Sequence, residues 1–403
     1  MLELAQRVQR VKPSFTLEMI SRAAELRSQG IDIVNFGAGE PDFNTPVNIR
    51  HAAKRALDEG FTKYTAGAGM LELREAVCQK LKRENALEIE PSQVLISNGE
   101  KQSLYLACQA LFQKGDKVLV FAPYWVSFPA FVTLADAEPV IINTAARNNF
   151  EPDFSDDKLI GPEIKGVIIN SPSNPTGAIW SESTIVKILK LARKNNWTVI
   201  ADECYERFIF NHEFKIAEKL NLDHGINARI ITCMSLSKTY AMTGWRIGYS
   251  FGPSRVIKAM AKIQGQATSC ANSIGQKAAV EALIGDQKEV EKNLKIFEQR
   301  RNLMVSLLNE IPGFSCATPD GAFYAFPDIS SYLGKYAQGK LIKDSFDLSD
   351  YLLASANVVT IPGDGFGAPG FLRFSFTVNN KTMEKGIGRI KKVLKQLKNK
   401  GEI

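Results

Sequence analysis

Between Val94 and Phe251 the chain passes through six short, continuously apolar stretches separated by segments of helical periodicity. They are Val94-Leu95-Ile96-Ser97, Val118-Leu119-Val120-Phe121, Val167-Ile168-Ile169-Asn170, Val199-Ile200-Ala201-Asp202, Ile230-Ile231-Thr232-Cys233 and Ile247-Gly248-Tyr249-Ser250-Phe251. A strand that is apolar on both faces must be covered on both faces, as in a parallel-rich sheet held between helices. The intervening pattern supplies such helices, with Ile185, Ile188, Leu189 and Ala192 at i, i+3, i+4 and i+7. The expected class is α/β, with a large parallel-rich mixed sheet flanked by helices.

A chain of 403 residues exceeds one ordinary core, and its flanks read differently from its middle. Residues Thr16 to Gln29 carry helical spacing and stop at Gly30, and Ile31 to Phe36 alternates like a short strand before a loop at Gly37 to Asp42. A charged helical tract from Asp286 to about Glu310 leads out of the middle section. Val358 to Ile361 and Phe371 to Phe376 read as strands, and the basic C-terminal segment around Lys391 to Lys398 as an amphipathic closing helix. The expected division is a large α/β domain over 46–290, with 1–45 and 291–403 forming an N-terminal arm and a smaller α+β domain.

Composition narrows the function classes. The net charge of +7 is modest, and no basic stripe interleaved with aromatics marks a nucleic-acid surface. Six cysteines stand apart with no C-x-x-C pair, and the three histidines lie far from one another and from any cysteine. That pattern argues against a disulfide frame, a metal site and a serine–histidine triad. No apolar run approaches the roughly 20 residues of a membrane span, and the N-terminal Met-Leu-Glu-Leu lacks the pattern of a secretory leader. The expected location is cytoplasmic.

The chemistry concentrates at Ser235-Leu236-Ser237-Lys238-Thr239-Tyr240-Ala241-Met242-Thr243-Gly244-Trp245-Arg246. A neutral lysine amine forms a Schiff base with an aldehyde, and two serines with an arginine are groups that hold a phosphate dianion. An aldehyde and a phosphate occur together in pyridoxal 5'-phosphate (PLP). Other polar residues fall just beyond apolar runs, where a parallel sheet collects ligands. Asn98-Gly99-Glu100-Lys101-Gln102 follows Ser97 and opens a helix-like segment, a seat for phosphate. Asn170 to Gly177, with two prolines, is a rigid turn that can fix Asn174, or an ordinary tight turn. Asp202 ends its run as a helix cap or as a charge facing a ligand; against a pyridine nitrogen it would keep that nitrogen protonated. Tyr205 and Trp125 are candidates for contact with the ring oxygen and ring face, though Trp125 also suits a core.

Together these blocks resemble class I aminotransferases of the fold type I PLP enzymes, specifically the bacterial and archaeal aspartate aminotransferase subgroup, some of whose members also act on prephenate. The resemblance runs nearly end to end. It includes Lys12-Pro13-Ser14, Gly39-Glu40-Pro41-Asp42, Lys63-Tyr64, Pro123-Tyr124-Trp125, Asn170 to Gly177, Asp202-Glu203, the Lys238 segment, Gly321-Ala322-Phe323-Tyr324 and Arg373-Phe374-Ser375. It implies that Lys238 is the Schiff-base lysine and the base for a 1,3-proton shift. Asp202 would pair with the pyridine nitrogen, Tyr205 and Asn174 with the phenolic oxygen, and Trp125 would stack on the ring. The backbone amides of Gly99, Glu100 and Lys101, with Ser235, Ser237 and Arg246, would hold the phosphate. Tyr64 would reach the phosphate of a neighbouring subunit in a homodimer with shared sites. Arg373 would clasp the substrate α-carboxylate, with Gly39 beside it on a mobile loop.

Glu100 departs from this scheme, since an acidic side chain suits a phosphate turn only if it points away. Lys101 and Lys12 supply cations for a distal carboxylate, which favours transfer from L-aspartate to 2-oxoglutarate. Lys12 also leaves a prephenate or aromatic activity open, and a PLP-dependent β-lyase would share Lys238 and Arg373. Two functions of other classes fare worse. Gly67-Ala68-Gly69 lacks the third glycine of a dinucleotide-binding fingerprint, and a PLP-binding regulator would need an appended DNA-binding module.

Overall fold

The computed structural model describes residues 3–153, 161–210 and 213–402; the Met1-Leu2 start of the N-terminal segment lies outside them. Seven strands form the main sheet. Across it they stand in the order Val94–Ser97, Gly248–Phe251, Arg229–Ser235, Thr198–Asp202, Ile164–Asn170, Lys117–Ala122 and Glu138–Asn143. Gly248–Phe251 is antiparallel to both neighbours, and all the other pairings are parallel. The expected parallel-rich mixed sheet, flanked by helices, is therefore the architecture of the chain.

The apolar runs are buried on alternate faces. Val118, Val120, Ile168, Ile200 and Ile231 join one core layer, while Leu119, Phe121, Val167, Ile169 and Val199 join the layer on the other side. Side chains that alternate across a strand thus meet helices whichever way they point. The helix Glu182–Asn195 covers the second layer with Ile185, Ile188, Leu189 and Ala192. Its start is fixed by Ser181, whose Oγ accepts the Thr184 N–H at 3.3 Å, and its end by Asn196 in the left-handed region. Burying each of its larger apolar side chains contributes roughly 1.5–3 kcal/mol.

The strand Glu138–Asn143 escapes the sequence pattern. It lies at the sheet edge, carries Pro139, and buries only Ile142 fully, so no apolar run marks it. The alternation from Ile31 to Phe36 yields a ladder of only two residues, Val34–Asn35, parallel to Val358–Val359. Ile361–Pro362, Leu372–Ser375 and Tyr324–Ala325 make a small antiparallel sheet. Beside it the helices Lys288–Asn309 and Asn380–Leu394 bury Phe297, Met304, Ile387 and Ile390 in one core with Phe323 and Phe374.

Candidate active site

Parallel strands bring their carboxyl ends to one edge, and there Asn170 is the register partner of Asp202, and Asp202 of Cys233. A cavity of about 290 Å³ opens above that edge, lined by Lys238, Asp202, Tyr205, Trp125, Asn174 and Arg373 among others. Lys238 Nζ donates to the Gly39 carbonyl at 2.5 Å, which ties the lysine segment to the N-terminal loop. Asn170 positions two of its neighbours: its Nδ2 donates to the Asp202 carbonyl at 3.1 Å, and its Oδ1 accepts the Asn174 N–H at 2.9 Å.

The antiparallel strand explains how Arg246 reaches this edge. Because Gly248–Phe251 runs against its neighbours, its first residue meets Ser97 and Ser235, the last residues of the flanking strands. Arg246, two residues earlier, therefore lies over the start of the helix Glu100–Leu111. Contact is so close that a Cβ on Gly99 would stand 2.5 Å from Arg246 Nη2, and Gly99 has φ +78°. The N-terminus of this helix, a guanidinium and the hydroxyls of Ser235 and Ser237 lie together in the cavity lining. This cradle, which a side chain at position 99 would fill, suits a phosphate dianion. Arg246 holds its place from the left-handed region, at φ 56°, donating through Nη1 to the Thr243 carbonyl at 2.6 Å.

A second group of lining residues is cationic and aromatic. Arg373 is buried; Nη1 donates to Asn174 Oδ1 at 2.7 Å and Nη2 to the Gly37 carbonyl at 3.0 Å. Its Nε has no partner among the described residues, and its guanidinium lies 4.4 Å from the centre of the Tyr324 ring. An unsatisfied N–H on a buried fork is a place for a carboxylate. Burial pulls the Arg373 pKa below its ordinary value without threatening the charge. The Tyr205 and Tyr324 hydroxyls are 2.8 Å apart, and burial, then Tyr324, pushes the Tyr205 pKa well up. Burial raises Asp202 to about 6, opposed by the Cys204 backbone N–H and by Lys238. Lys101 is lowered by burial, then by Arg246 and Lys238, and its ammonium lies 4.9 Å from the Trp125 ring centre.

The structure gathers Gly39, Glu100, Lys101, Trp125, Asn174, Asp202, Tyr205, Ser235, Ser237, Lys238, Arg246 and Arg373 around one cavity. It does not gather Tyr64 or Lys12. Tyr64 is 88 % exposed, and Lys12 is an exposed residue outside the cavity lining, which takes Thr16 and Ile20 from that arm instead. Glu100, whose carboxylate was expected to point away from the phosphate turn, is 6 % exposed and lines the cavity with Asp202. Tyr324 and Asn170 also take part, although the sequence pattern assigns neither a role. Asn170 ends an apolar run just as Asp202 does, and that position is a usable signal. Tyr324 carries none, because its place depends on the small sheet.

A lysine, a carboxylate, a phosphate cradle and a buried arginine on the carboxyl edge of such a sheet define an enzyme of amino-group chemistry. The chain belongs to the family of class I and II aminotransferases, whose profile matches residues 31–390. Within that family it is 42 % identical over 392 residues to the aspartate/prephenate aminotransferase of Cereibacter sphaeroides, covering 96 % of this chain and 97 % of that one. It is 40 % identical over 398 residues to the aspartate/prephenate aminotransferase of Nitrosomonas europaea, covering 98 % and 100 %. Among solved structures, the aspartate aminotransferase of Rhizobium meliloti superposes with a TM-score of 0.92 at 37 % identity, over 98 % of this chain and all of that one. The Thermus thermophilus aspartate aminotransferase with maleate gives 0.90 at 37 % identity, with the same coverage.

Proposed function

We propose that this chain transfers the amino group of L-aspartate to 2-oxoglutarate, giving oxaloacetate and L-glutamate, with pyridoxal 5'-phosphate as cofactor. The carrying observation is a pair of cations in one cavity: buried Arg373 at one wall and the Lys101 ammonium beside Trp125. Two separated positive charges match the two carboxylates of a dicarboxylic substrate. The Thermus relative's structure with maleate, itself a dicarboxylate, supports the same reading.

Pyridoxal phosphate, when bound, supplies a carbonyl for the amino group and an electron sink for the α-carbanion. The Gly99, Glu100 and Lys101 backbone N–H groups, with Ser235, Ser237 and Arg246, would hold its phosphate. Asp202 would pair with its ring nitrogen, Tyr205 and Asn174 with its ring oxygen, and Trp125 would stack on its ring. Arg373 fixes the substrate α-carboxylate, which orients the Cα–H bond toward Lys238. Lys238 Nζ would then take the Cα proton and deliver it to the carbon on the other side of the substrate nitrogen, completing the 1,3-shift. With Oδ1 engaged by Arg373, Asn174 keeps its Nδ2 to donate. The loop at Gly37 and Gly39 excludes water as the small unit, 1–45 with 291–403, closes on 46–290. Exposed Tyr64 serves the phosphate of a partner subunit in a cytoplasmic homodimer.

A donor panel with 2-oxoglutarate tests the proposal. Aspartate should form glutamate far faster than alanine or phenylalanine does; success of the neutral donors alone would refute the specificity. Lys101→Ala should cut kcat/KM for aspartate about tenfold or more while sparing neutral donors, and equal losses would remove its role. Prephenate is the second acceptor to include, because relatives at 40–42 % identity are named for it. Product identity separates transfer from a β-lyase.

A further inference from the structure

Glu100 is the first residue of the helix Glu100–Leu111, and its side chain is buried. Behind it lies Gly248, where a Cβ would collide with the Glu100 backbone nitrogen. The carboxyl is buried and lines the same cavity as Asp202 and Cys204. Among the described residues no N–H or O–H satisfies its buried Oε1. Asp202 in turn has Oδ1 held by the Cys204 backbone N–H at 3.2 Å. Two ionised carboxylates in such a place would repel each other and leave an oxygen unserved, whereas one shared proton answers both difficulties.

We propose that Glu100 is a positioning residue that carries a proton at neutral pH and donates it in a hydrogen bond to Asp202. The pair then bears a single negative charge, and Asp202 is held from two sides: Cys204 N–H on one and Glu100 on the other. The charged and titratable groups facing Glu100 are Asp202 and Cys204 beyond one strand, Cys233 and Tyr249 on the two neighbouring strands, and Lys238. Among the described residues Lys238 favours its ionisation by charge, and burial outweighs it. Burial, followed by Asp202, holds the Glu100 carboxyl well above the ordinary carboxylate range. This deepens the cofactor assignment and rests on it only for the meaning of the Asp202 orientation: an oriented, singly charged carboxylate is what a protonated ring nitrogen needs.

The test uses the cofactor-free enzyme first. Infrared difference spectra of the wild type against Glu100→Gln at pH 7 should show one protonated-carboxyl C=O band lost in the variant. Loss of a carboxylate band instead would overturn the proposal. Pyridoxal phosphate titration then compares Glu100→Gln, which keeps a donor of the same shape, with Glu100→Ala, which has none. The glutamine variant should bind within about threefold of wild type, and the alanine variant about tenfold or more weakly. Equal affinities for the two variants would overturn the role. If the alanine variant fails to fold, as read by circular dichroism, the glutamine spectrum alone decides. A wild type that binds no pyridoxal phosphate would refute the cofactor assignment, while the infrared bands would still report whether the pair shares a proton.

Discussion

Arg373 and Glu203 show opposite uses of burial at single residues. Arg373 stays charged because its guanidinium is served by Asn174 and Gly37, and its buried Nε has no partner among the described residues. Arg373→Lys replaces a planar fork by a point charge, so the KM for aspartate should rise roughly 10–100-fold with unchanged circular dichroism. Glu203 is 3 % exposed; its Oε1 accepts the Ala217 N–H at 2.6 Å, while its Oε2 has no partner among the described residues. Burial raises its pKa to about 8. A raised carboxyl pKa means that stability is fully present below the unfolded value and is lost as pH climbs toward 8. The loss is on the order of 5 kcal/mol. Glu203→Gln keeps the Ala217 bond and removes the titration, so its Tm should fall less than that of wild type between about pH 5 and 8. Parallel curves would refute the assignment. Neither behaviour is legible in the sequence, which marks Glu203 only as the neighbour of Asp202.

The element that matters most is the junction of the Glu100–Leu111 helix with the antiparallel strand Gly248–Phe251. The run Ile247 to Phe251 announces a strand, but nothing in the run announces its direction. Direction alone decides whether Arg246 faces the helix start or the far end of the sheet. Gly99 records the outcome, being in the left-handed region and pressed against the guanidinium. Gly99→Ala should therefore weaken pyridoxal phosphate binding about tenfold or more, measured by titration of the cofactor-free enzyme. Unchanged affinity would mean that the phosphate sits elsewhere. The edge strand Glu138–Asn143, absent from the sequence pattern, is the complementary lesson. An edge strand needs burial on few of its residues, so periodicity has little to report.

Over the whole molecule, the layer built from the helices Val47–Asp58, Leu71–Asn85 and Ser273–Ile284 leaves Val47, Leu57, Leu71 and Ile284 exposed, with Tyr64 at 88 %. In the homodimer proposed above, a second copy would cover this layer. Sedimentation should give about twice the 44.6 kDa chain mass, and Tyr64→Phe should weaken cofactor binding several-fold without dissociating the dimer. A monomer with full activity would refute the shared site. The order of residues alone specified the sheet strands that are apolar on both faces, the helices that cover them, and the side chains whose chemistry needs a lysine, a carboxylate and an arginine. These are local matters of period, residue type and spacing. Strand direction, the turning of Glu100 toward Asp202 and the meeting of Tyr205 with Tyr324 came only with the folded arrangement. Each joins residues distant in sequence, and each depends on which neighbours occupy the space left once the core has packed.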